Sequence, residues 1–91
     1  MKIIRYASAY KRAYKKLSRS GIFPKLELES VIKKIQNDEV LDAKYDDHPL
    51  HGELSKERGC HIKSDLILVY RIENNNLVLV LVNLGSHSDL F

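Results

Sequence analysis

Leu66-Ile-Leu-Val-Tyr-Arg-Ile-Glu73 and Leu77-Val-Leu-Val-Leu-Val-Asn83, separated by Asn74-Asn-Asn76, decide how the rest of the chain is read. Both runs are nearly continuous in apolar residues and far shorter than the ~20 residues of a bilayer span. Without polar alternation they read as strands covered on both faces. Asparagine tolerates positive φ, so the triple Asn reads as the turn of an antiparallel hairpin. Glu57 to Ile62 adds a strand before the hairpin, and the β-branched stretch Lys2 to Tyr6 suits an edge strand. Between these lies a loop-rich segment, Asp42 to Lys56, holding Pro49 and Gly52.

The N-terminal half changes period. Tyr10, Ala13, Tyr14 and Leu17 recur at helical spacing behind a candidate N-cap at Ser8, and this helix ends before Gly21. Pro24 suits a first helical turn, and Leu28, Val31, Ile32 and Ile35 continue a second helix to about Asn37. The short connection around Gly21 makes the pair an antiparallel hairpin, with the tyrosine stripe turned to the core. The predicted architecture is α+β: an N-terminal strand and a two-helix hairpin packed on a mainly antiparallel sheet of about four strands. Residues 1–91 read as a single domain without repeat, low-complexity tract or linker.

A hydrophobic fraction of 44% with 30% charged residues is that of an ordinary soluble globular chain. No membrane segment and no secretory signal are predicted, and the lone Cys60 has no partner for an internal disulfide, which points to a reducing cytoplasm. The net charge is only +3, but it is unevenly placed. Lys2, Arg5, Lys11, Arg12, Lys15, Lys16, Arg19 and Lys25 all precede the first acidic residue, Glu27. Such a segment suits RNA, DNA or an acidic protein, or it is a solvated helix face; charge alone does not choose.

All four histidines lie in the second half. His48, His61 and His87 sit in loops or at strand ends, in segments that also carry Asp47, Asp65 and Asp89. Imidazoles exchange protons near neutral pH, so several with a carboxylate can divide general-base, general-acid and charge-stabilising work. Solvated loop histidines are the plainer reading. His48 and His51 with Cys60 and His61 could also be taken as metal ligands, although structural zinc sites repeat Cys or His pairs at tighter spacing.

Three blocks carry a resemblance. Tyr45-Asp-Asp-His-Pro-Leu-His-Gly52, Cys60-His-Ile-Lys-Ser-Asp-Leu-Ile-Leu-Val-Tyr70 and Leu84-Gly-Ser-His-Ser-Asp-Leu-Phe91 resemble the signature blocks of YafQ-type toxins, in the RelE/ParE superfamily of bacterial toxin-antitoxin systems. The resemblance implies a RelE/ParE-like toxin domain: a ribosome-dependent mRNA endonuclease held inactive by a cognate antitoxin protein. It places the family's site on His48, His61, Asp65, His87 and Phe91. Family members can carry an acidic residue two positions before His61, where this chain has Gly59. Glu57 is a candidate substitute. The aromatic residue that can follow the motif aspartate is here Leu66.

The chemistry so implied needs a base for the 2′-hydroxyl proton, an acid for the 5′-oxygen, and cations for the phosphorane charge. His48 or Asp65 is the candidate base, His87 the acid and His61 an orienting or stabilising group, with the roles open to permutation and no metal or other cofactor required. Arg58 and Lys63 flank His61 and could hold the scissile phosphate, or be plain surface charges. Phe91 could stack on a base or close the core. Lys11, Arg12, Lys15 and Lys16 become phosphate contacts to ribosomal RNA, beside mRNA on the ribosome as substrate. The alternative is a ParE-like toxin that binds a protein target such as a gyrase without cleaving RNA.

Overall fold

The hairpin forms where the sequence puts it. A computed structural model describes residues 1–52, 56–63 and 65–91, so part of the predicted loop (53–55) and Ser64 lie outside the described residues. Among the described residues the elements are β1 (Ile3–Tyr6), α1 (Ser8–Leu17), α2 (Lys25–Gln36), β2 (His48–Pro49), β3 (Arg58–Lys63), β4 (Leu66–Glu73), β5 (Val78–Gly85) and α3 (His87–Leu90), with a 3-10 turn at Ala43–Tyr45. The five strands make one sheet in the order β1-β5-β4-β3-β2, one strand more than predicted. The addition is β2, two residues long, pairing His48 with Gly59 and Pro49 with Arg58. Proline lacks the N–H that a ladder needs, so β2 is a short edge, and sequence pattern does not reveal it.

Asn74, Asn75 and Asn76 all adopt positive φ, at 52°, 54° and 75°. The Leu77 N–H closes this turn on the carbonyls of Glu73 and Asn74, which is why β5 starts one residue later than its apolar run. β4 and β5 are antiparallel, while β1 lies parallel to β5 at the sheet edge. Tyr70 faces Leu81 and Val69 faces Asn83, so Val82 is an extra residue in β5. This bulge shifts the alternation by one. Leu79, Leu81 and Leu84 consequently all join the core on the helix side, whereas Val82 packs with Leu50, Ile67, Val69 and Leu90 on the other.

Both long helices cover one face of the sheet. Leu28, Val31 and Ile35 of α2 and Tyr10 of α1 meet Cys60, Ile62, Leu68, Tyr70, Leu79 and Leu81. The tyrosine stripe turns to the core: Tyr10 is buried, and Ala13, Tyr14 and Leu17 pack partly buried against the same cluster. Tyr14 packs edge-on against Phe23 with ring centroids 5.3 Å apart, closing the connection between the helices. Ser8 is not the N-cap of α1. Ala7 holds that position because its N–H is bonded to Leu81 O at 2.9 Å, extending the sheet ladder one residue past β1. Pro24 caps α2 from just outside the helix, and Gln36 ends it. There the Gln36 amide bonds to the Lys2 carbonyl at 2.9 Å, and the buried Lys2 ammonium pairs with Asp38.

The second face is covered in two ways. Leu50 and Leu90 shield one end. At the other, Arg5 and Arg71 flank Val80 in register, and an ion-pair chain links Arg5, Glu73, Arg71 and Glu57. Val78 and Val80 are buried beneath these long side chains.

Candidate active site

Alternation along β3 separates its chemistry. Cys60 and Ile62 enter the helix-side core, so Gly59 and His61 present to the opposite face. His48 is the cross-strand partner of Gly59, which brings two histidines from separate blocks to the same edge. The segment leading into β2 turns sharply at Asp46, whose φ of 47° and ψ of 48° are left-handed and whose N–H bonds to Ala43 O, ending the 3-10 turn.

That turn aims Asp46 at both imidazoles. Its carbonyl oxygen lies 2.6 Å from His48 Nδ1. A carbonyl only accepts, so Nδ1 donates and Nε2 is the ring atom left open. The Asp46 carboxylate oxygen Oδ2 stands 3.8 Å from His48 Nδ1 and 3.8 Å from His61 Nε2. Both imidazoles are about half exposed, open to a ligand arriving from solvent.

Asp47 serves the other face. It accepts the Tyr70 hydroxyl at 2.7 Å and the Arg58 guanidinium at 3.3 and 3.4 Å. Burial opposes the Arg58 charge, but Asp47 and Tyr70 outweigh it and hold its pKa above the ordinary value. Burial first, and then Asp47, likewise raises the Tyr70 phenol. Arg58 faces Tyr70 in register and lies on the helix side of the sheet, away from His61. The guanidinium read from sequence as a phosphate contact is engaged in holding the loop that carries His48.

The third block arrives through α3, where the sequence predicts only the segment just after the last strand. Ser86 caps it in a reciprocal box: its hydroxyl accepts from Asp89 N–H at 3.2 Å, and its own N–H donates to the Asp89 carboxylate at 3.1 Å. The Ser86 N–H, and after it the Ser86 hydroxyl, hold the Asp89 carboxyl below its usual range, with a smaller contribution from Lys16. His87 opens the helix, its N–H directed at Asp65 Oδ1 at 3.4 Å, and its ring lies 5.1 Å from the Phe91 ring. Phe91 is half exposed and does not close the core.

His61, Ile67 and Gly85 lie in one row across three strands. At about 4.8 Å per strand, His61 and Gly85 are roughly 10 Å apart, and His87 follows two residues later. The Asp46–His48–His61 group and the Asp65–His87–Phe91 group therefore flank an apolar floor of Leu50, Ile67, Val69, Val82 and Leu90. Lys63 and Asp65 border a neighbouring cleft with Leu17, Phe23, Ser86 and Asp89. Lys11, Arg12, Lys15 and Lys16 are exposed on α1, on the helix side.

Glu57 is bonded to Arg71 at 3.2 Å, so it is committed elsewhere and does not take over the position of the missing acid. At Gly59 a Cβ would stand 3.2 Å from Leu50 Cδ2. The carboxylate that reaches the imidazoles is Asp46. In the sequence it is indistinguishable from its neighbour Asp47; only the left-handed turn separates them. The metal-ligand reading loses Cys60, which is fully buried on the helix side while His61 faces the other way, and burial pushes its thiol up to about 12. Among the described residues no group of three or more His, Cys, Asp and Glu is placed to hold a metal ion. No helix among them is long and apolar enough to cross a membrane.

Known proteins share this fold. The family described as "Bacterial toxin of type II toxin-antitoxin system, YafQ" matches residues 2–91. A metal-bound toxin from Helicobacter pylori is similar in structure, with a TM-score of 0.91 and 41% identity over 100% of both chains. In the Escherichia coli DinJ-YafQ complex the matching chain has a TM-score of 0.86 and 26% identity, over 100% of this chain and 99% of that one. The mRNA interferase toxin YafQ of Escherichia coli (strain K12) is 37% identical over 57 residues, which span 63% of this chain and 60% of that protein's length. Fold and sequence together define a toxin of the type II toxin-antitoxin class. Within that class the chain belongs to the YafQ family.

Proposed function

We propose that residues 1–91 act as one toxin domain, an endoribonuclease that cleaves mRNA on the ribosome in the cytoplasm and is restrained by a cognate antitoxin. One observation carries this reading: His48 and His61, from separate sequence blocks, share one edge of a sheet face with an apolar floor, and α3 holds His87 beside Asp65 past the end of β5.

His48, with Nδ1 tied to the Asp46 carbonyl, takes the 2′-hydroxyl proton on Nε2. The freed 2′-oxygen attacks the adjacent phosphorus, and the bond to the 5′-oxygen breaks as His87 gives that oxygen a proton. The products are a 2′,3′-cyclic phosphate and a 5′-hydroxyl. Asp65 engages the His87 backbone and positions α3, which favours His48 over Asp65 as the base. His61 stabilises charge on the phosphorane, Lys63 meets the phosphate and Phe91 stacks on a base. Lys11, Arg12, Lys15 and Lys16 bind ribosomal RNA through its phosphates, leaving the histidine face to the message.

Primer extension on cellular mRNA after a pulse of expression tests the proposal. Wild type is expected to give cuts in frame with codons. His87→Ala, folded by circular dichroism, is expected to give none. Intact mRNA in wild-type cells that nevertheless stop replicating would overturn the proposal in favour of a protein-binding toxin.

A further inference from the structure

The histidine face contains a carboxylate that the family resemblance does not assign. Where family members can carry an acid, this chain has Gly59, and Glu57 is bound to Arg71. Asp46 approaches the same imidazoles from the neighbouring turn. Its backbone oxygen fixes His48 Nδ1 at 2.6 Å, and its carboxylate lies 3.8 Å from the facing nitrogens of both His48 and His61. At 3.8 Å the carboxylate is beyond direct hydrogen-bond reach, but its charge favours a ring proton on the nitrogen that faces it. For His61 that nitrogen is Nε2, which leaves Nδ1 as the open atom.

We propose that Asp46 is a positioning residue of this active site: it sets the tautomers of His48 and His61 and supplies the negative charge that position 59 lacks. The proposal rests on the RNA-cleaving function of the same histidines. Two features argue that this is the side chain's main employment. Its residue is left-handed, a conformation costly for most side chains and tolerated by Asp and Asn, so the turn is shaped to deliver a short polar group here. Its side chain is also largely exposed, so the core does not depend on it.

Asparagine keeps the turn and removes the charge, which makes Asp46→Asn the informative variant. Single-turnover cleavage of mRNA on programmed ribosomes is measured for wild type, Asp46→Asn, Asp46→Glu and His87→Ala. Asp46→Asn is expected to lower the cleavage rate about 10- to 100-fold without changing the concentration for half-saturation, as loss of a carboxylate orienting a histidine does elsewhere. Asp46→Glu, which restores the charge but strains the left-handed turn, is expected to recover part of the rate. Long-range imidazole nitrogen spectra of the isolated protein supply a second readout. Wild type should show His61 protonated at Nε2 in its neutral form, and Asp46→Asn should show both His61 tautomers.

A wild-type cleavage rate in Asp46→Asn, or unchanged tautomers, would overturn the assignment. If wild type and His87→Ala both fail to cleave, the RNA-cleaving reading fails. The spectra then still decide whether Asp46 orders the rings.

Discussion

Asp46 and Asp47 are adjacent, chemically identical, and serve opposite faces of the sheet. Asp46 reaches the histidines, whereas Asp47 binds Tyr70 and Arg58. No pattern of residue types distinguishes them, because the difference lies in one left-handed backbone step. His48, His61 and His87 were legible as a group because ordered blocks carry them; the employment of each nearby carboxylate was not. Removing Asp47 leaves the buried Tyr70 hydroxyl without its acceptor and Arg58 without its counter-ion. Asp47→Ala is therefore expected to cost about 1–3 kcal/mol in urea unfolding. A loss below about 0.5 kcal/mol, within the range of ordinary surface substitutions, would mean the pair does not hold the loop.

At the level of elements, strong local signals survived and weak ones were displaced by tertiary bonds. The 66–83 hairpin and both long helices appear where periodicity put them. Ser8 lost the cap to Ala7 because the sheet ladder reaches one residue further, and the two-residue β2 left no periodic trace. α3 did have a readable signal: Ser86 followed by Asp89 is the spacing of a capping box, although four residues are too few for a hydrophobic period. The pH dependence of α3 follows from that box. The folded Asp89 carboxyl titrates below its unfolded value, so its contribution is complete above the ordinary carboxylate pKa of about 4 and disappears as pH falls through the lowered one. Amide exchange at Ser86 and Asp89 should accelerate below about pH 4 before the β4–β5 amides respond. Simultaneous loss of both sets would show that the box does not hold α3.

Across the whole molecule, two surfaces differ in chemistry. The helices carry exposed Lys11, Arg12, Lys15 and Lys16, with Lys16 at the border near Asp89, and the opposite sheet face carries His48 and His61. The basic N-terminal half was plain in the sequence, but its separation from the chemistry was not, because the face a strand residue occupies depends on pairing and on the bulge at Val82. Lys11→Glu with Lys15→Glu is expected to weaken ribosome association and make its salt dependence shallower, each lost phosphate contact removing somewhat under one unit of log–log slope. Single-turnover cleavage by fully bound toxin should change little. An unchanged salt slope would place the ribosome contact elsewhere.

Use of the RNA's own 2′-hydroxyl as nucleophile can be tested with an mRNA carrying a single 2′-deoxynucleotide on the 5′ side of the mapped cut, presented on programmed ribosomes. The all-ribose message is expected to be cut, leaving a 2′,3′-cyclic phosphate, and the substituted message to remain intact at that position. Cleavage of the 2′-deoxy message at an undiminished rate would contradict use of that nucleophile.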